Sequence, residues 1–136
     1  MKLVVMDAQG GGMGRMLVEA IKRELPEQQI IAVGTNALAT SAMLRAGADQ
    51  GATGENAVVV CAAGADVIVG PIGLVLADAM LGEVTEKMAA AVGRSPAHRV
   101  LVPVTRCQTT VAGVPRMTMA EAVEAAVQTV KALAGK

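Results

Sequence analysis

The chain has no Phe, Trp or Tyr. There is no aromatic face for a base to stack on, and twelve Lys and Arg against twelve Asp and Glu leave no net field to hold a phosphate backbone. Nucleic-acid binding is therefore not expected. Cysteine is scarce: Cys61 and Cys107 stand in unrelated contexts without CxxC spacing, which argues against a disulfide framework or a zinc site. No other cluster has metal-ligand spacing, so no metal is expected. Long apolar runs are missing too. None approaches the ~20 residues that cross a bilayer, and Met1-Lys2 runs straight into Leu3-Val4-Val5-Met6 without a cleavage site. These absences point to a cytoplasmic protein with no membrane contact.

The 136 residues fit one domain, expected to span 1–136. Core volume has to come from Val, Leu, Ile, Ala and nine Met, which are small or flexible, so tight packing requires backbones that approach closely. Fifteen Gly meet that need. With 53% hydrophobic and only 18% charged residues, a small monomer has difficulty hiding its apolar surface, which predicts a homodimer or higher homo-oligomer.

Leu3–Met6, closed by Asp7, is a short apolar run suited to a strand buried on both faces. The loop Ala8-Gln9-Gly10-Gly11-Gly12-Met13-Gly14 follows, and then an amphipathic helix to Leu25 with Glu19 and Arg23 at i,i+4, stopped by Pro26. Ile30–Gly34 reads as a second strand, and Thr35 or Asn36 caps a helix over 37–46 that leaves through Gly47. Between Ile30 and Ala48 the only charge is Arg45, so this helix is the first choice for a subunit contact. Residues 48–56 read as loop, with a helix capped by Thr53 running through Gly64, although Val58-Val59-Val60 also suits a strand. Asp66–Gly70 is a third strand, 74–81 a helix stopped by Gly82, and 86–94 a helix capped by Thr85. Arg99–Val104 is a fourth strand, 109–112 a candidate edge strand, and Thr118-Met119-Ala120-Glu121 a capping box opening the last helix. Strands alternating with helices predict an α/β, three-layer fold on a mainly parallel sheet of four to five strands.

In such sheets ligands bind beyond the carboxyl ends of the strands, where strand order reverses. The groups expected to converge there are Gly10, Gly11, Gly12, Met13 and Gly14, then Thr35 and Asn36, Gly70, Pro71 and Gly73, and Thr105 to Cys107. Bare backbone before a helix suits a small anionic ligand, a phosphate or carboxylate. The alternative is a tight turn needed only for helix–strand packing. The GxGxxG fingerprint is incomplete, because its last position is Arg15, and the second strand ends in Gly34-Thr35-Asn36 without the acid that holds a ribose. The standard NAD pose is disfavoured. NADP or a mononucleotide stays open as cofactor, with Thr35 and Asn36 among the groups around it, and Arg106 is the best candidate for binding an anion bidentately.

Catalytic groups are few. Without Tyr, the Tyr-x-x-x-Lys pair of short-chain dehydrogenases is impossible, and His98 is expected on the surface at the opposite end of the sheet. Asp7, Glu55 and Cys107 are the candidates for acid, base or nucleophile, Cys107 because Arg106 would favour its thiolate. Each has a plain structural alternative in loop bonding, helix-dipole interaction or packing. Three readings follow: a small-molecule-binding protein, an enzyme acting on a small phosphorylated or carboxylated metabolite, or an interaction subunit docking through the helix around Leu38–Leu44.

The blocks Asp7–Gly14, Gly34–Leu44, Gly51–Ala57, Gly70-Pro71-Ile72-Gly73, Met80-Leu81-Gly82-Glu83 and Arg106-Cys107 together resemble a family of small bacterial proteins, common in anaerobic Gram-positive organisms and described as a domain of unknown function. The resemblance covers nearly the whole chain. It implies a Rossmann-like fold and supplies no activity, cofactor or partner.

Overall fold

The structure is a computed structural model that describes residues 1–103 and 108–135. Five strands alternate with helices: β1 (Leu3–Asp7), α1 (Gly12–Glu24), β2 (Ile30–Gly34), α2 (Ala37–Arg45), β3 (Gln50–Thr53), α3 (Glu55–Gly64), β4 (Val67–Pro71), α4 (Glu86–Arg94), β5 (His98–Val102) and α5 (Met119–Leu133). All four pairings are parallel, in the order β3-β2-β1-β4-β5, which gives a Rossmann-like α/β sheet. After β3 the chain returns to the far side of β1 to form β4. The reversal of strand order therefore lies between β1 and β4, and in sheets of this kind ligands bind beyond the carboxyl ends of the strands at such a point.

The side-chain alternation of β1 divides the interior. Leu3 and Val5 face a core with Leu17 and Ile21 of α1, Met43 of α2 and Val127 of α5. Val4 and Met6 face the other side, with Val58 of α3 and Met88 and Val92 of α4. Close backbone approach replaces aromatic bulk. A Cβ added to Gly70 would collide with the Met6 carbonyl and the Leu74 side chain, and one on Gly14 would come within 2.6 Å of the Met43 sulfur.

Four expectations need correction. The fifth strand is Gln50–Thr53, not 109–112. It is mostly exposed and almost devoid of apolar side chains, so pattern could not reveal it. Pairing with β2 holds it at the sheet edge, and the buried Thr40 hydroxyl ties it down through the Ala52 carbonyl (3.2 Å) and the Thr53 hydroxyl (2.7 Å). Thr53 accordingly does not cap α3; Gly54 takes that position with no side-chain cap. The region 57–63 is helical within α3, in accord with the helical reading.

Helix 74–81 does not form. A short 3-10 turn, Ile72–Val75, is followed by tight turns in which Asp78 (φ 66), Met80 (φ 56) and Leu81 (φ 58) are left-handed, and the Asp78 amide bonds the Val84 carbonyl at 2.8 Å. An uncapped eight-residue stretch gains little as a helix. Folding back instead buries Val84 in the core and carries Glu83 over the glycine loop. Glu19 pairs with Arg15 at 3.1 Å, not with Arg23, which turns to Glu124 of α5 at 3.8 Å. The capping box of α5 is present with both of its bonds. Among the described residues no helix is long and apolar enough to cross a membrane.

Candidate functional site

The β1–α1 connection lies at the strand-order reversal. Gln9 (φ 50) and Gly11 (φ 74) adopt left-handed conformations, and the Gly11 amide bonds the Ala8 carbonyl at 3.0 Å, so the loop turns sharply into α1. Its four glycines have different local reasons. Gly11 is needed for its φ and because a Cβ would meet the Ala39 backbone at 2.9 Å. Gly14 is needed for packing against Met43 and Asp7. Gly10 and Gly12 have neither reason: both are exposed, neither has a positive φ, and nothing lies within 4 Å of an added Cβ. Bare backbone is therefore presented to solvent at the start of α1, while Met13 is buried beneath it.

Asp7, at the end of β1, is buried and accepts the Gly14 amide at 2.7 Å. Burial pushes its carboxyl above the ordinary 3.8, against the bonds from the Gly14 and Ala8 amides and with the Glu83 charge adding to the rise. Asp7 thus braces the first turn of α1 from inside.

Thr35 and Asn36 face the same loop from the end of β2. Asn36 caps α2, its Oδ1 accepting the Ala39 amide at 2.9 Å, and its Nδ2 donates to the Gln9 carbonyl at 3.0 Å. Between these loops lies a group that the sequence reading did not single out. One carboxylate oxygen of Glu83, Oε1, accepts from the Gln9 amide (2.8 Å), the Thr35 hydroxyl (2.8 Å) and Asn36 Nδ2 (2.9 Å). Partial burial opposes its charge, but the three donors outweigh burial and hold Glu83 below the ordinary 4.5. The only sequence signal was the Met80–Glu83 block in the family resemblance, since 47 residues separate Glu83 from Asn36.

The other candidates disperse. Gly70, Pro71 and Gly73 lie at the end of β4 but are buried in the protein's own packing. Glu55 opens α3 and its Oε2 accepts the Thr85 hydroxyl at 2.6 Å, joining α3 to the cap of α4. His98 is exposed at the amino end of β5. Arg106 and Cys107, with Thr105, lie outside the described residues. Among the described residues no group of three potential metal ligands is found. A cleft of about 470 Å³ lined by Lys2, Gln29, Asp49 and Gln50 opens at the opposite, amino end of the sheet. Its Lys22–Asp49 pair at 2.8 Å is spent tying α1 to the turn before β3.

The fold is similar to that of a dodecameric FMN-dependent UbiX-like decarboxylase from Escherichia coli O157:H7, at 20% identity and a TM-score of 0.48 over 96% of this chain and 76% of that one. A likeness of that degree concerns the arrangement of helices and strands alone. No curated protein matches the chain. Residues 2–135 match the family model described as a domain of unknown function, DUF3842, and the chain belongs to that family.

Proposed function

We propose that this chain is a small-molecule-binding protein that receives an anionic or nucleotide-like ligand on the Gly10–Gly12 backbone, beside Thr35 and Asn36. The observation that carries the reading is the division of the loop glycines. Gly11 and Gly14 satisfy the needs of the scaffold, whereas Gly10 and Gly12 leave backbone open with no internal reason for lacking a side chain. The first-turn amides of α1 provide the partial positive charge an anion requires. Donors from the Gln9, Thr35 and Asn36 loops converge on one carboxylate oxygen of Glu83, which ties the end of β2 and the segment after β4 to the glycine loop. Of the cofactors left open, the Glu83 carboxylate at the end of β2 disfavours the 2′-phosphate of NADP and leaves a mononucleotide.

Thermal shift tests the reading with nucleoside monophosphates, flavin mononucleotide, sugar phosphates and inorganic pyrophosphate. A ligand at ~100 times its Kd stabilises by about 2.7 kcal/mol, whereas a flat response to every compound overturns the reading. A catalytic role has less support, because Asp7 and Glu55 are engaged by Gly14 and Thr85.

One observation favours a second property, homo-oligomerisation. Leu38 (64% exposed) and Leu44 (41%) on α2 leave apolar side chains in water on a helix whose one charged residue is Arg45. This accompanies ligand binding and does not compete with it.

A further inference from the structure

The end of β2 has no acidic residue of its own, yet a carboxylate stands there. Glu83 arrives from the segment after β4 and is fixed by Thr35 and Asn36, the two residues that follow β2. All its hydrogen bonds fall on Oε1, so Oε2 has no partner among the described residues. In dinucleotide-binding sheets of this strand order, an acid at the end of β2 accepts a ribose hydroxyl. The segment that folds back after β4 therefore supplies the acceptor that the sequence of β2 lacks.

We propose that Glu83 is the specificity-determining acceptor for a vicinal diol, so that the ligand carries a ribose 5-phosphate unit, free or within a nucleotide. Its phosphate rests on the Gly10–Gly12 backbone and its hydroxyls donate to Oε2 of Glu83. This rests on the ligand-binding reading above and narrows it. The charge balance favours a diol over a bare polyanion: Asp7 and Glu83 are both carboxyl groups, and Arg15 of the first turn is engaged by Glu19. Hydroxyls donate to a carboxylate, whereas a second phosphate beside Glu83 would be repelled. Three donors on Oε1 keep the group charged and oriented, as a recognition acceptor requires.

Calorimetric titration with AMP, 2′,3′-dideoxy-AMP, ribose 5-phosphate and inorganic pyrophosphate tests the assignment. The wild type is expected to bind AMP at least about tenfold more tightly than its dideoxy counterpart, the factor that one hydrogen bond to a charged group supplies. Glu83→Ala should bring that ratio close to one while the far-UV spectrum stays unchanged, and Glu83→Gln should fall between. Ribose 5-phosphate binding as tightly as AMP points to a free sugar phosphate, and much weaker binding points to a nucleotide; both support the diol. Equal affinity of the wild type for AMP and dideoxy-AMP overturns the proposal. So does a Glu83→Ala protein that binds every probe more tightly, which would make Glu83 an occupant that ligands displace. Pyrophosphate binding without AMP or ribose 5-phosphate binding removes the diol and leaves the anion reading standing; silence from all four removes both. If Glu83→Ala fails to fold, the wild-type ratio alone decides.

Discussion

Substituting Ala in turn at the four glycines of the β1–α1 loop separates scaffold from site. At Gly14 the new methyl would lie 2.6 Å from the Met43 sulfur and 2.9 Å from the Asp7 Cβ. The sulfur is the mobile part of its side chain and the Cβ is not, so relief is partial and the cost is that of overpacking, about 1–3 kcal/mol. At Gly11 the left-handed φ of 74 adds about 1–2 kcal/mol to an overlap with the Ala39 backbone at 2.9 Å, giving a total of roughly 2–5 kcal/mol. At Gly10 and Gly12 nothing is met and φ is ordinary, so Ala should leave stability unchanged or raise it by about 0.4–1 kcal/mol. In a chain of this size each kcal/mol moves Tm by about 3–5 °C, well within reach of a melting curve. The same two variants should weaken any ligand found in the thermal-shift panel by about tenfold or more, because the methyl occupies the space the ligand backbone contact needs. Gly10→Ala and Gly12→Ala proteins that keep full affinity refute the placement of the ligand. Variants that melt as early as Gly14→Ala refute the division of the glycines.

Further perturbations probe the scaffold. The raised pKa of Asp7 means that the folded state retains a proton the unfolded chain has released, so stability should fall as pH rises above 3.8 through the raised value. Denaturant midpoints of Asp7→Asn should lack that decline, and parallel profiles for the two proteins would contradict it. Ser95 is buried, donating to the Ala62 carbonyl at 2.5 Å and accepting the Ala97 amide at 3.0 Å, so Ser95→Ala should cost about 1–3 kcal/mol in chemical denaturation. A loss under about 0.5 kcal/mol would mean the surroundings re-pair. Light scattering should give at least a dimer for the wild type and a smaller species for Leu38→Lys; a monomeric wild type assigns no self-association to α2.

The parts legible in the sequence were those specified by local chemistry. The apolar runs of β1, β2 and β4, the stop at Pro26, the Asn36 and Thr85 caps and the capping box of α5 each depend on neighbours a few residues away. β3 was invisible because its strand character comes from its partner β2 and from the Thr40 hydroxyl, not from its own Gln-Gly-Ala-Thr. Residues 74–81 misled because apolar spacing suited a helix while the chain gained more by burying Val84 and bonding Glu83 across the sheet end. The candidate site was half legible. Topology placed Gly10 to Gly14, Thr35 and Asn36 together, but which glycines the scaffold needs, and that a carboxylate would arrive from 47 residues beyond Asn36, depend on three-dimensional neighbours.

Amide chemical-shift mapping during titration with AMP or ribose 5-phosphate addresses the location of the ligand most directly. Saturable shifts centred on Gly10, Gly12, Met13 and Thr35 are predicted. Shifts confined to Lys2, Gln29 and Gln50, around the cleft at the amino end of the sheet, would contradict the account.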